Sequence, residues 1–234
     1  MAVSPEKHPV CLNCRKALPQ CFLCSLPCDG QRGGIALSDG RYACRLHSQG
    51  GVIDSGEAQQ IFGRARSELK ETFAGVLEIK TPIKEVKLVD IDGLKKATER
   101  SGHSANLSGG KVLGIATVVL LTQGGKTWMD PSTVHLLNYV PADRLLTVST
   151  HEYAHVWHAE NHRSYTQTTP ILREGFAEWV AYKVAQRFGR HDQIRLMENP
   201  GGGVYYQGLQ KFLRLEQQDG VSGVLRHATT ATTI

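Results

Sequence analysis

The apolar and polar positions divide the chain into a stretch without period, a mixed stretch and a helical stretch. Residues 1 to about 50 show no sustained alternation. They are broken by Pro5, Pro9, Pro19 and Pro27 and by Gly30, Gly33, Gly34, Gly40, Gly50 and Gly51, so loops are expected there. From Asp54 the pattern becomes helical. Asp54 and Glu57 have capping-box spacing, Ile61, Ala65 and Leu69 recur at i, i+4 and i+8, and Gly75 supplies a stop. This helix is expected to link the first stretch to the main domain. Residues 84–90 alternate like a half-buried strand, and 92–101 read as a short helix ending at Gly102. A β-rich run follows from Lys111 to Thr122, turned by Gln123-Gly124-Gly125, and 134–140 is a further short strand candidate.

After Pro141 the period changes. Residues 142–160 put Leu145, Val148 and Glu152 on one stripe of a helix. Pro170 opens a second helix over 170–188, closed by Gly189, and a third spans 204–218 and ends at Asp219-Gly220. Helices that follow a small sheet predict an α+β fold. The expected organisation is a zinc-finger module over 1–50, a helical linker with the first core strand over 51–102, and the main core over 103–234.

Composition narrows the class. The chain has 234 residues, 41% hydrophobic and 21% charged, enough for one core and a small satellite. The longest apolar run, Val112 to Leu121, falls short of the roughly 20 residues of a membrane helix, so no membrane span is predicted. The N-terminal MAVSPEKHPVCLNC has no charged segment leading into an apolar one, so a cytoplasmic location is expected. The net charge of +5 is diffuse, and residues 11–47 carry four Arg and one Lys beside Phe22 and Tyr42, a weak signal. Nucleic acid is therefore not an expected partner.

The candidate chemistry lies in two places. Cys11, Cys14, Cys21, Cys24, Cys28 and Cys44 all fall in the first fifth of the chain, which reads as metal ligation in a reducing compartment. Cys21-x2-Cys24, nineteen residues, then Cys44-x2-His47 has the spacing of a treble-clef or LIM-type half-site for a structural zinc with four protein ligands. Cys11 and Cys14 form a second knuckle. His8 and Cys28 complete it poorly, and a knuckle remnant, a pairing with Cys21 and Cys24, and a redox pair stay open.

The second place is His151-Glu152-Tyr153-Ala154-His155, an HExxH sequence inside a predicted helix. Four residues make about 1.1 turns, so both imidazoles project from one face and can grip one zinc, with Glu152 beside the metal-bound water. The alternative is a chance match on a solvated face. A zinc held by two histidines needs a third protein ligand. Glu174, in the next helix, lies where an antiparallel helix pair returns a carboxylate to the metal, and Glu178, one turn on, can accept the free N–H of a ligand histidine. The pattern HExxHxxGxxH is absent, because positions 158 and 161 are His and Asn; His158 and His162 are expected at the surface.

With these residues in place, HEYAHVW followed by LREGFAEWVAY resembles the gluzincin metallopeptidases, in which HExxH is followed after eighteen residues by a glutamate. Arg173 stands where the aminopeptidase branch has Asn. The resemblance implies His151, His155 and Glu174 as ligands of a catalytic zinc and Glu152 as general base. Tyr205-Tyr206-Gln207-Gly208 resembles the segment that holds a transition-state tyrosine in that clan. Tyr205 takes the role by that match, with Tyr206 and Tyr165 as alternatives.

A broader resemblance covers most of the chain. CFLCSLPCDGQRGGIALSDGRYAC, IDSGEAQQIF, LVDIDGLKKA, LLTVSTHEYAHVWHAE, REGFAEW and YYQGLQKFL are similar to the LIM-linked peptidases of the plant DA-one type, in the same order. The chain lacks that family's ubiquitin-binding segments and complete tandem LIM array and looks like a minimal version of it.

The expected activity is hydrolysis of peptide bonds in a protein or peptide substrate, which pairs with an edge strand drawn from 111–121 or 134–140. No Gly-x-Met-Glu-Asn-like segment precedes HExxH, which favours an endopeptidase. The competing class is a non-catalytic adaptor whose finger recruits a protein partner.

Overall fold

The computed structural model describes residues 2–3, 9–100, 112–124 and 126–234. His8, Gly102, Lys111 and Gly125, invoked above, lie outside them. The first stretch holds a two-residue pair, β1 (Ala2–Val3) with β2 (Pro9–Val10), then α1 (Leu12–Ala17), a hairpin of β3 (Ile35–Ala36) and β4 (Tyr42–Ala43), and α2 (Arg45–Gly50). Elements this short close no core of their own.

Helix α3 (Ser55–Thr72) begins where the capping box places it, Asp54 Oδ1 accepting the Glu57 N–H at 2.7 Å. It buries Ala58, Ile61, Phe62, Ala65 and Leu69 and packs along α5 (Ala142–Asn161). It is thus a wall of the core as well as a connection. Strand β5 (Ile83–Val89) and α4 (Ile91–Arg100) follow, and β6 (Gly114–Gln123) and β7 (Lys126–Leu137) form the long hairpin. The sheet order is β5-β7-β6, with β5 parallel and β6 antiparallel to β7.

This order corrects one expectation. Residues 134–137 belong to a twelve-residue central strand with neighbours on both sides, so they offer no free edge, whereas β6 is an edge strand. Pro131 hides the length of β7 in the sequence. It sits where the β6 register shifts between Thr117 and Val119, and β5 pairs only from Ser132 onward, so no ladder bond needs its missing N–H.

The helical layer consists of α5, α6 (Pro170–Arg187), α7 (His191–Met197) and α8 (Gly203–Thr230). Helix α8 breaks at Gly220, φ 68°, where Asp219-Gly220 was expected to end it, and a second helical segment then runs to Thr230. That segment and the tail bury His158 and His162, correcting the expectation that both are at the surface. His162 Nδ1 accepts the Ser164 N–H, so its Nε2 donates to the Ala231 carbonyl at 2.8 Å, and the Thr169 N–H donates to Thr232 O. His158 packs edge-on against Tyr165 and Phe176, and burial drives its pKa down to about 3, leaving a neutral core ring.

The cysteine module is tied to this core at named points. Arg41 donates to the Asn138 carbonyl at 3.1 Å and to the Asn138 side chain, and stacks over Phe22. Asp39 pairs with Arg41 and accepts the Ile91 N–H. The Val52 N–H donates to Val140 O and the Tyr139 N–H donates to Val52 O, directly before α5 starts.

Candidate metal centres and cavity

In the first cluster, Cys21 and Cys24 flank a knuckle closed by the Cys21 N–H to Leu26 O and the Ser25 N–H to Cys21 O. Cys44 precedes α2 and His47 lies on it. The four ligand atoms lie within 4.8 Å of one another and all four residues are buried. Cys24 Sγ is 3.7 Å from Cys44 Sγ, and His47 Nδ1 is 3.3 Å from the sulfurs of Cys21 and Cys44. Thiolates about 2.3 Å from a tetrahedral ion lie about 3.8 Å apart, so these residues fit a zinc-sized ion. Hydrogen bonds with Cys24 and Cys44 depress the Cys21 pKa; burial opposes the charged form of His47, but its hydrogen bonds with Cys21 and Cys44 outweigh it and raise the pKa to about 9. A fourth sulfur, Cys28, lies against the cluster, and burial foremost pushes its thiol up to about 12. Cys11 and Cys14 are exposed and do not join a metal-sized group among the described residues.

The second cluster gathers His151, His155 and Glu174, all buried. His151 Nε2 lies 3.0 Å from His155 Nε2, and both nitrogens lie 3.3 Å from Glu174 Oε2. Ligands about 2.0–2.1 Å from a tetrahedral ion are separated by about 3.3 Å, so the donor set fits zinc here too. Helical pitch brings the histidines together, and the crossing of α5 with α6 brings the glutamate. Glu178 Oε2 is 3.0 Å from His151 Nδ1, the tautomer-fixing contact expected for it. Burial opposes ionisation of Glu174 and of His151, but the interactions with His155 and His151 outweigh it and lower the Glu174 pKa, and hydrogen bonds with Glu174 and Glu178 raise that of His151. His155 Nδ1 is buried and without a partner among the described residues.

Glu152 stands beside the cluster and outside it. Its Oε2 accepts the Ala116 N–H of β6 at 2.7 Å, and burial foremost raises its pKa. This approach of strand to helix needs Gly114, where a Cβ would lie 2.6 Å from Val148 and 3.1 Å from Glu152. A second close approach places Tyr205. Gly175, next to Glu174, meets Gly208, where an added Cβ on either would come within 2.6 Å of the other's backbone, and α8 thereby sets the Tyr205 ring 5.8 Å from that of His151. Tyr165 packs on His158, while Tyr205 and Tyr206 both line the cavity beside the cluster.

That cavity has a volume of about 300 Å³ and includes His151, Glu152 and Glu178. Its walls also hold residues that sequence reasoning missed: Leu23 and Ser25 from the knuckle, Arg144 on the first turn of α5, and Leu196 and Met197 from α7. No local signal marks them, because each enters only through packing of remote elements.

No family model, curated protein or solved structure matches the chain. No helix among the described residues is long and apolar enough to cross a membrane.

Proposed function

We propose that the chain is a zinc-dependent peptidase of gluzincin type that cuts internal peptide bonds, with a LIM-like zinc finger at its N-terminal end. The observation that carries this reading is a buried three-residue cluster that meets a cavity at His151, with Glu152, a buried carboxylate outside the cluster, lining the same cavity. Zinc bound to His151, His155 and Glu174 supplies Lewis acidity, which polarises a carbonyl and brings the pKa of water toward ~7.

The chain's own groups do the rest. Glu152 takes the proton of the attacking water at Oε1, its Oε2 being held by the Ala116 N–H. The water oxygen bonds to the carbonyl carbon, and the carbon–nitrogen bond breaks as Glu152 passes that proton to the departing amine. Burial keeps the Tyr205 hydroxyl protonated, so it donates to the substrate carbonyl oxygen as negative charge grows there. Glu178 holds the His151 ring in register. Substrate enters extended along the free edge of β6. The cluster of free thiols fits a reducing compartment, so the cytoplasm is part of the same proposal.

An adaptor built on a peptidase scaffold, the competing reading, leaves Glu152 without a task. The deciding experiment incubates zinc-loaded wild type and Glu152→Gln with a denatured proteome and reads new termini by mass spectrometry. Internal cuts made by the wild type, reduced about 10²–10⁴-fold in the variant at equal zinc content, are expected. Equal cutting by both overturns the mechanism, and silence from the wild type favours the adaptor.

A further inference from the structure

The knuckle that carries two ligands of the first cluster also reaches the second. Leu23 lies between Cys21 and Cys24 and is only 3% exposed, although knuckle tips usually face water; it lines the cavity that contains His151 and Glu152. Ser25, next after Cys24, lines the same cavity with its backbone at φ 58°. The apolar lining also includes Val112 at the approach to β6, Val148 on α5 and Met197 on α7.

The segments that follow the knuckle are bonded to the start of α5 and to the core. Val52 and the Tyr139–Val140 segment bond directly before α5, whose first two turns line the same cavity through Thr147 and Val148. Arg41 and Asp39 hold the hairpin behind the knuckle to Asn138 and Ile91. At about 300 Å³ the cavity is at the small end of ligand sites, so it admits an extended segment of chain and not a folded surface.

We propose that Leu23 and Ser25 form one wall of the substrate site and determine specificity, selecting an apolar side chain beside the cleaved bond. The finger is then part of the cleft as well as a support for the core. This rests on the peptidase reading above.

The test uses the full zinc-loaded chain as wild type, Leu23→Ala and Ser25→Asn, with Glu152→Gln as the blank. A random peptide library is cleaved and the residues flanking each cut are ranked, and binding of N-blocked leucine and tryptophan hydroxamates is measured by calorimetry. Leu23→Ala enlarges the pocket and is expected to raise the preference for tryptophan over leucine by about tenfold, since a few methylenes in an apolar pocket discriminate by about 10–200-fold. Ser25→Asn, a residue that tolerates positive φ, narrows the cleft and shifts the ranking toward small side chains. If Leu23→Ala loses its cysteine-bound zinc, Ser25→Asn decides alone. Cutting with an unchanged ranking in the folded variants overturns the proposal and leaves the peptidase reading standing. A wild type that neither cuts above the blank nor binds either hydroxamate overturns both.

Discussion

The two buried ligand clusters are built in opposite ways. Cys21, Cys24, Cys44 and His47 come from a knuckle and a short helix in a segment whose strands are two residues long, and four protein ligands would close the tetrahedron of an ion held there. His151, His155 and Glu174 come from largely buried helices of 20 and 18 residues, and three ligands would leave a tetrahedral ion one position open near Glu152 and Tyr205. On the proposed reading, an ion would hold the chain where packing is poor, whereas where packing is ample the chain would hold the ion and leave a position for chemistry.

The sharpest way to break this contrast is to remove a ligand from the closed cluster. Cys24→Ser is expected to lose one metal equivalent and unfold residues 19–50, because structural zinc binding is worth roughly 10–16 kcal/mol in apparent free energy. The loss is read by metal analysis and by hydrogen exchange, which should stay slow in α5 and α6. Fast exchange spreading through both helices would mean that the core leans on the finger's metal as well.

A smaller effect is expected from the contact between the regions. Arg41→Ala leaves Asp39 buried without its partner, and about 3 kcal/mol of stability should be lost in denaturant unfolding. The same pair gives a pH dependence. Burial opposes ionisation of Asp39, but Arg41 and the Ile91 N–H outweigh it and its folded pKa lies below the ordinary value. A depressed carboxylate contributes stability that is complete above the unfolded pKa of about 3.9 and is lost as pH falls through the folded value. Arg41→Ala should flatten that acid limb. A limb of unchanged depth would assign the acid loss to other carboxylates.

The finest probe is Glu178→Gln, which keeps the shape of the contact with His151 and removes its charge. Zinc affinity at the open cluster should fall about 10–100-fold, measured by competition with a chelator, and the cysteine cluster should be unaffected. An unchanged affinity would leave Glu178 as a residue of the cavity wall alone.

Much of both clusters was legible because their logic is local. Cys-x-x-Cys is a knuckle, His-x-x-x-His is one turn of helix, and Glu178 follows Glu174 by one turn. Asp54, Gly75, Pro170, Gly189 and Asp219-Gly220 marked helix ends or breaks for the same reason. The misreadings have a non-local cause. His158 and His162 looked like surface residues because their cover comes from the far end of α8 and the tail, some 70 residues later. The edge strand could not be chosen before it was known that β5 pairs in parallel with β7.

The sequence by itself determined the ligand types, their helical or knuckle spacing and the boundaries of most helices, since backbone sterics, capping and pitch act over a few residues. Tertiary structure alone decided that β7 is central, that Gly175 meets Gly208 to bring Tyr205 beside His151, and that Leu23 of the Cys21–Cys24 knuckle lines the cavity beside His151. Those outcomes depend on which distant surfaces bury each other, and burial is a property of the assembled chain that no local pattern encodes.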